Sequence, residues 1–330
     1  MKRQTLLQVT RMLALAGTVV LLAVRTLAAD AQTPYPSRPV HVVVAFAAGG
    51  FADGISRLIG QKLSERLGQP VVVENRGGAG GNIASRLVAA ANADGYTLLA
   101  NTAAMSINVS LYKNPGFDAF ADFVPINITA STPGLFVVHP SNPAGTLQEL
   151  IGAAKGKRLT YATAGVGSSS HLAGDYLLRQ LAGADAVHIP YQGGSPAITA
   201  VVANQVDVLS ASMPPVMPFI GQGKLKVLAV SSLKRVEALP NVPTVTEAGF
   251  PDFEERSWVG FFAPAKTSPE IVNRLNGEIN QILGLPDIRE RFAALGVDPT
   301  TGSPAAFAEY FRAEVAKWSK IVKTIGISAN

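Results

Sequence analysis

The chain reads Val42-Val43-Val44-Ala45-Phe46-Ala47-Ala48-Gly49-Gly50-Phe51-Ala52-Asp53 and then, after one helical length, Val71-Val72-Val73-Glu74-Asn75-Arg76-Gly77-Gly78-Ala79-Gly80-Gly81. Each apolar run is short and β-branched, as a buried strand should be, and each ends in a glycine-rich turn. Between them Ile55, Leu58, Ile59 and Leu63 fall on one face at helical spacing, which predicts a helix over 52–67. Strand, glycine turn, helix is the geometry that aims backbone N–H groups and a helix N-terminus at an anion.

The same alternation continues outward. Strands are expected over 40–45, 71–73, 96–100, 124–128, 135–138, 159–162, 186–189, 206–209 and 226–230. Helices are expected over 82–91, 146–154 and 171–181, with two long ones in the tail over 269–283 and 304–325. Strands separated by helices and short loops imply α/β layers around mostly parallel sheets. Neither a 20–50-residue repeat nor a low-complexity tract is visible.

An ordered set of motifs runs through this pattern: Arg38-Pro39-Val40, Gly49-Gly50, Asp53 and Arg57, then Val72-Val73-Glu74-Asn75-Arg76, Gly78-Ala79-Gly80-Gly81 and Ala93-Asp94-Gly95-Tyr96-Thr97. It resumes at Gly165, Gly167-Ser168, His171, His188-Ile189-Pro190-Tyr191-Gln192-Gly193, Gln205-Val206-Asp207, Leu239-Pro240, Trp258 and Ala263-Pro264. This set resembles the Bug family, the extracytoplasmic solute-binding proteins of tripartite tricarboxylate transporters. The resemblance covers about the whole chain after its first 31 residues. It implies a two-lobed periplasmic-binding-protein fold (Venus flytrap, type II-like), each lobe a mostly parallel sheet flanked by helices. On that basis residues 32–132 plus 256–330 form lobe 1 and 133–255 lobe 2, with the turns at Gly49 and Gly165 facing each other across a cleft.

Composition sets further bounds. With 330 residues, 48% of them hydrophobic, the chain is long enough for two lobes. The net charge of +5 is concentrated at the start: removing Lys2, Arg3, Arg11, Arg25 and Asp30 leaves 24 basic and 22 acidic residues, +2. A balance so near zero is no nucleic-acid footprint. Those first residues have the form of a secretory signal, with a positive start, an apolar run over 12–24, and Ala29-Asp30-Ala31 as the cleavage site. Removal of 1–31 and export to the periplasm are the expectation. There are no cysteines, so disulfides, thiol catalysis and thiolate metal sites are excluded. The four histidines show no metal-ligand spacing. No cofactor is implied.

The candidate site residues lie on turns at strand ends. Gly49 and Gly50 permit close approach to backbone, with Phe46 and Ala47 beside them, and Asp53 is placed to cap the following helix through one of its free amides. Read without the resemblance, the same turn is also an ordinary tight βα connection. Family members carry prolines where this chain has Ala45 and Ala48. Asn101 and Thr102 follow the strand over 96–100, at a carboxyl end where open α/β sheets place ligands. The second loop, 164–171, has three consecutive hydroxyls, one of them an expected N-cap, and the resemblance carries over Gly167, Ser168 and Ser169 as ligand contacts. His171 is read as structural, turned toward the sheet. Tyr191 and Gly193 open the next helix, and Ser212 ends a strand. Family members often carry an acid near Ser212; its lack favours a plain carboxylate over an amino acid. Phe51 and Trp258 are further aromatic candidates for the pocket wall, though a single aromatic is more often core, Trp258 the more so. The turn over 74–81 is read as ordering its lobe without touching the ligand.

The resemblance therefore implies a monomeric receptor that captures a small organic carboxylate (a di- or tricarboxylate, or an aromatic one) and presents it to membrane permease subunits. A sensor that reports ligand to a signalling partner would use the same residues. A serine hydrolase built on Ser168 to Ser170 and His171 is disfavoured, because the nucleophile-elbow sequence Gly-x-Ser-x-Gly is missing.

Overall fold

A computed structural model describes residues 35–329, and among these ten strands share one hydrogen-bonded sheet. In chain order they are β1 Val40–Val44, β2 Val71–Asn75, β3 Thr97–Thr102, β4 Phe123–Val138, β5 Leu159–Thr163, β6 Ala186–Pro190, β7 Val208–Ser212, β8 Lys226–Val230, β9 Arg256–Pro264 and β10 Asp298–Pro299. The order across the sheet is β2-β1-β3-β9-β4-β7-β5-β6, with β8 and β10 also paired to β4. β1 is parallel to β2 and β3, and β5 is parallel to β6 and β7. Helices such as Phe51–Leu67 and Gly194–Val202 make the connections that parallel pairing requires.

The two parallel groups are joined by β4 and β9. Residues 123–133 of β4 lie antiparallel to β9, ending at the pair Pro133–Arg256. From Gly134 onward β4 pairs instead with β7 and β8. The sequence predicts two separate strands here, over 124–128 and 135–138, with Pro133 in the gap between them. They are one 16-residue strand. The register shifts between Pro125 and Asn127, and Pro133 stands where one set of partners gives way to another, so neither missing N–H breaks a ladder.

Period-two alternation divides the core of the second half. Phe136 and Val138 face Tyr161, Leu177 and Phe253 on one side of the sheet, while Leu135 and Val137 face Ile198, Leu209 and Val216 on the other. In the first half Ile55, Ile59 and Leu63 of the helix Phe51–Leu67 are buried, as their spacing predicts. Both tail helices, Pro269–Leu283 and Pro304–Ile325, have the predicted bounds, and a third, Pro286–Ala294, lies between them. Trp258 does not border a pocket. It is fully buried among Phe307, Tyr310 and Phe311, and its indole N–H donates to Glu314 Oε2 at 3.2 Å. Among the described residues no helix is long and apolar enough to cross a membrane. The expected leader, 1–31, lies outside the described residues.

Candidate ligand-binding cleft

After β1 the chain turns through residues 46–50. Gly49 has φ +76°, the left-handed region that glycine reaches without steric cost. Its amide donates to Asp53 Oδ2 at 2.8 Å. Asp53 is thus not the expected cap of a free amide in its own helix. As the third residue of Phe51–Leu67 its side chain leans toward the helix N-terminus and reaches back to the turn. It also accepts from Arg57 Nε at 2.9 and 3.0 Å and from Asn75 Nδ2 at 2.9 Å. Burial alone would raise its pKa; the bonds from Arg57, Gly49 and Asn75 outweigh that and hold the carboxyl below the ordinary range. Asn75 Nδ2 donates in addition to Phe46 O at 3.0 Å, so one buried carboxylate and one amide side chain fix the turn.

In the second half, β5 ends at Thr163 and the chain turns through Gly165 (φ +121°) and Gly167 (φ +84°) into the helix Ser169–Gly174, which continues as a π-helix over Asp175–Leu181. Ser168 is the N-cap: its Oγ accepts from the His171 amide at 3.2 Å and donates to Gly165 O at 2.7 Å. Ser169 and Ser170 are buried beside it. His171 stacks on His188, ring centroids 4.1 Å apart, and its Nδ1 accepts from the Gly167 amide at 3.4 Å. Burial lowers the pKa of His171 to about 4 and that of His188 to about 3. The His171 ring is therefore neutral and engaged away from the serine hydroxyls, as the structural reading expects.

The two halves meet at these turns. The Ala47 amide donates to Gln192 O at 3.2 Å, Ser195 Oγ donates to Ala48 O at 2.9 Å, and Tyr112 Oη donates to Val166 O at 3.4 Å. The Gly49 turn thus faces the Gly193–Ser195 turn directly, not the Gly165 turn. Val166 packs instead against Gly80, so the 74–81 turn also reaches the cleft.

Between the turns lies an inner cavity of about 40 Å³, room for roughly three waters at 10–15 Å³ each. Phe46, Gly50, Phe51, Ala52 and Thr102 line it from the first half. Ala164, Ser168, Ser169, Ser170, Gly194, Ala211, Ser212 and Pro215 line it from the second, and Ser257 from the start of β9. Six of these carry hydroxyls and none carries an ionisable side chain. An outer cavity of about 240 Å³ shares Phe46 and Ala164 with it and adds Tyr191, Tyr112 and the backbone of residues 78–80.

Of the expected contacts, Phe46, Gly50, Thr102, Ser168, Ser169 and Ser212 come together on the inner wall, and Tyr191 on the outer. Ala47, Gly49, Asp53, Asn101, Gly167 and Gly193 line neither. Ala47, Gly49 and Gly193 are taken up in the contact between turns: a Cβ on Gly193 would lie 2.9 Å from Ala47 Cβ, and one on Gly49 2.9 Å from Ser195 Oγ. Asn101 donates to Ser85 Oγ at 3.1 Å and accepts from the Thr102 amide at 2.7 Å. Gly167 packs on Asn108. Sequence reasoning passed over Pro215 and Ser257, and took Ala52 and Ser170 only as parts of the two loops. A lone serine opening the apolar strand Trp258 to Ala263 was a signal for Ser257; nothing in the sequence marks Pro215.

The profile of the "Tripartite tricarboxylate transporter family receptor" matches residues 55–327. The chain belongs to this family. BugT of Bordetella pertussis is 34% identical over 324 residues, 97% of this chain and 99% of BugT, and a UPF0065 protein of Pseudomonas sp. is 38% identical over 319 residues, 96% of this chain and 95% of that protein. Among solved structures, the periplasmic binding protein BugD superposes with TM-score 0.86 at 36% identity, covering 90% of this chain and all of BugD. An R. palustris protein solved with adipate has TM-score 0.86 at 35% identity, covering 89% of this chain and 99% of its own. MatC of Rhodopseudomonas palustris, with bound malate, has TM-score 0.83 at 33% identity, covering 87% and 100%. The expected Bug-family membership and two-lobed α/β fold hold. The family's members are solute-binding receptors, and its neighbours here are periplasmic.

Proposed function

We propose that this protein captures a small organic carboxylate between the 46–50 and 164–170 turns and delivers it, in the periplasm, to the membrane subunits of a tripartite transporter. The observation that carries this reading is the inner cavity: a recess walled by hydroxyls, glycine backbone and two phenylalanines, without a charged side chain. Such a wall binds an anion through amides and hydroxyls and leaves its charge to helix N-termini, each worth about half a positive charge. Malate in MatC and adipate in the R. palustris relative support a carboxylate as the ligand class. No covalent step is involved.

In this reading the lobes divide where β4 changes partners, lobe 1 being 32–132 plus 256–330 and lobe 2 133–255. Ser169, Thr102, Ser212 and the Gly50 backbone are the main polar contacts, with Phe46 and Tyr191 as the apolar and outer walls. Ser168 acts chiefly through its cap. Closing of the lobes brings the Ala47–Gln192 and Ser195–Ala48 contacts together and buries the ligand, and the closed surface is what the permease recognises. A thermal-shift screen of the chain from Gln32, freed of ligand by unfolding and refolding, tests this. Stabilisation by malate, adipate or a related acid is expected, and none by the corresponding amides; an equal response to amides would overturn it.

A further inference from the structure

Glu255 lies one residue before β9, beside the point where β4 changes partners, and only 4% of it is exposed. Its carboxyl packs over Gly134, where a Cβ would lie 2.5 Å from Oε2. Ser169 of the inner cavity wall is a neighbouring hydroxyl that acts on this carboxyl, and Ser257, two residues on along the chain, lines that cavity.

The hydrogens around this carboxyl can be counted. Ser231 Oγ accepts from the Gly134 amide at 2.7 Å and spends its one hydrogen on Glu255 O at 2.6 Å. It also lies 3.3 Å from Glu255 Oε2. The same hydrogen leans only weakly toward Oε2, so this oxygen has one long bond. Oε1 has no partner at all. A buried ionised carboxylate with an orphan oxygen costs far more than a neutral acid with the same orphan. The charged groups around it do not neutralise it. Lys317 of the last helix lies 3.5 Å from Glu314, and Arg256 on the same strand pairs with Asp298 and donates to Ser131. Asp252 and Glu254 are acidic neighbours, and with Tyr176, Lys317 and Lys320 they line a groove that Glu255 also borders. Burial raises the Glu255 pKa; the bonds from Ser169 and Ser231 and the charges of Lys317 and Arg256 offset only part of that.

We propose that Glu255 is held as a neutral acid at the crossing between the lobes and is a positioning residue of the ligand site. Its carboxyl orients the Ser169 hydroxyl while keeping negative charge away from a bound anion. This rests on the carboxylate reading above for the identity of the anion, and not for the state of the acid. Once Glu255 ionises, affinity for a carboxylate should fall by up to about tenfold per pH unit.

The test starts on the ligand-free full-length chain by infrared spectroscopy near neutral pH. A protonated-carboxyl C=O band is expected in the wild type, absent in Glu255→Gln and shifted in Ser169→Ala. Lack of the band overturns the proposal, and a band that Ser169→Ala leaves in place removes the positioning role. Malate is then added. Glu255→Ala should weaken its binding at least tenfold, Glu255→Gln should restore most of the loss, and the Gln variant should lose the wild type's decline at high pH. If wild-type and Gln profiles coincide while malate binds, the positioning role is overturned. If malate binds no variant, the carboxylate reading is what suffers, and the two ligand-free measurements still decide Glu255.

Discussion

Replacing Gly193 by alanine should separate closure from folding. Gly193 has φ +144° and ψ 173°, a region essentially confined to glycine, and its added Cβ would sit 2.9 Å from both Ala47 Cβ and Ala47 N. Contacts under 3.0 Å do not persist, so the 46–50 and 192–195 turns must part. Two hydrogen bonds go with that separation, Ala47 N to Gln192 O at 3.2 Å and Ser195 Oγ to Ala48 O at 2.9 Å. At about 1 kcal/mol each the closed arrangement loses about 2 kcal/mol, roughly 30-fold in population, and ligand affinity falls by the same factor. Backbone strain at the new alanine, about 1–3 kcal/mol, falls on open and closed states alike and lowers stability without ligand. Titration calorimetry with whichever carboxylate gives the largest thermal shift reads the first effect, and urea unfolding of ligand-free protein the second. Ser195→Ala removes only one of the two bonds and should cost about fivefold in affinity at nearly unchanged stability. Affinity within twofold of wild type in Gly193→Ala would refute the idea that contact between these turns stabilises the bound state.

Three further predictions follow the same logic. Asp53→Ala removes the acceptor that holds Gly49, Arg57 and Asn75 and should cost about 2–3 kcal/mol of stability, with ligand affinity falling as the turn loosens; a loss under 0.5 kcal/mol by urea unfolding would argue against it. Trp258→Ala opens a cavity beneath the last helix and should cost about 3–5 kcal/mol, read from the unfolding midpoint, a change below 1 kcal/mol being the contrary result. His171 titrates near 4 when folded against an ordinary 6.5; a lowered histidine pKa means stability is complete above pH 6.5 and lost as pH falls toward 4. That amounts to roughly 3 kcal/mol across the window, and His171→Gln should shallow the decline; identical slopes in both proteins would contradict the assignment.

Much of this fold is legible because its strands are β-branched runs and its helices carry a clean apolar face. Val42 to Val44 and the stripe Phe307, Phe311, Trp318 and Val322 need no tertiary information. β4 was harder. Pro133 falls in the gap between two expected strands, and only the partners on either side, β9 and then β7 and β8, show why one strand runs through it. The helix over 171–181 in fact begins at Ser169 and loosens to a π-helix at Asp175, a change that no periodicity announces. For the candidate site, the glycine turns marked loops that line the cavity, yet not which atoms face it. Asp53 lies in the first turn of its helix, Asn101 near the end of β3 and Gly193 in its turn, and all three are committed to amides, side chains or the opposing turn. Those commitments join residues far apart in sequence, such as Asn75 with Phe46 and Ser195 with Ala48, and local pattern does not encode them. Ser257 reaches the cavity only because β9 returns beside the crossing.

The central claim is that a carboxylate is held between the two turns. Titration calorimetry of ligand-free protein with malate, adipate, a tricarboxylate and an aromatic carboxylate, in wild type and Ser169→Ala, tests it most directly. At least one acid should bind, and the serine variant should bind it more weakly by about 1 kcal/mol or more. If none of the acids binds folded, ligand-free protein, or if one binds with Ser169→Ala unchanged, the ligand class in the first case and the site in the second would be wrong.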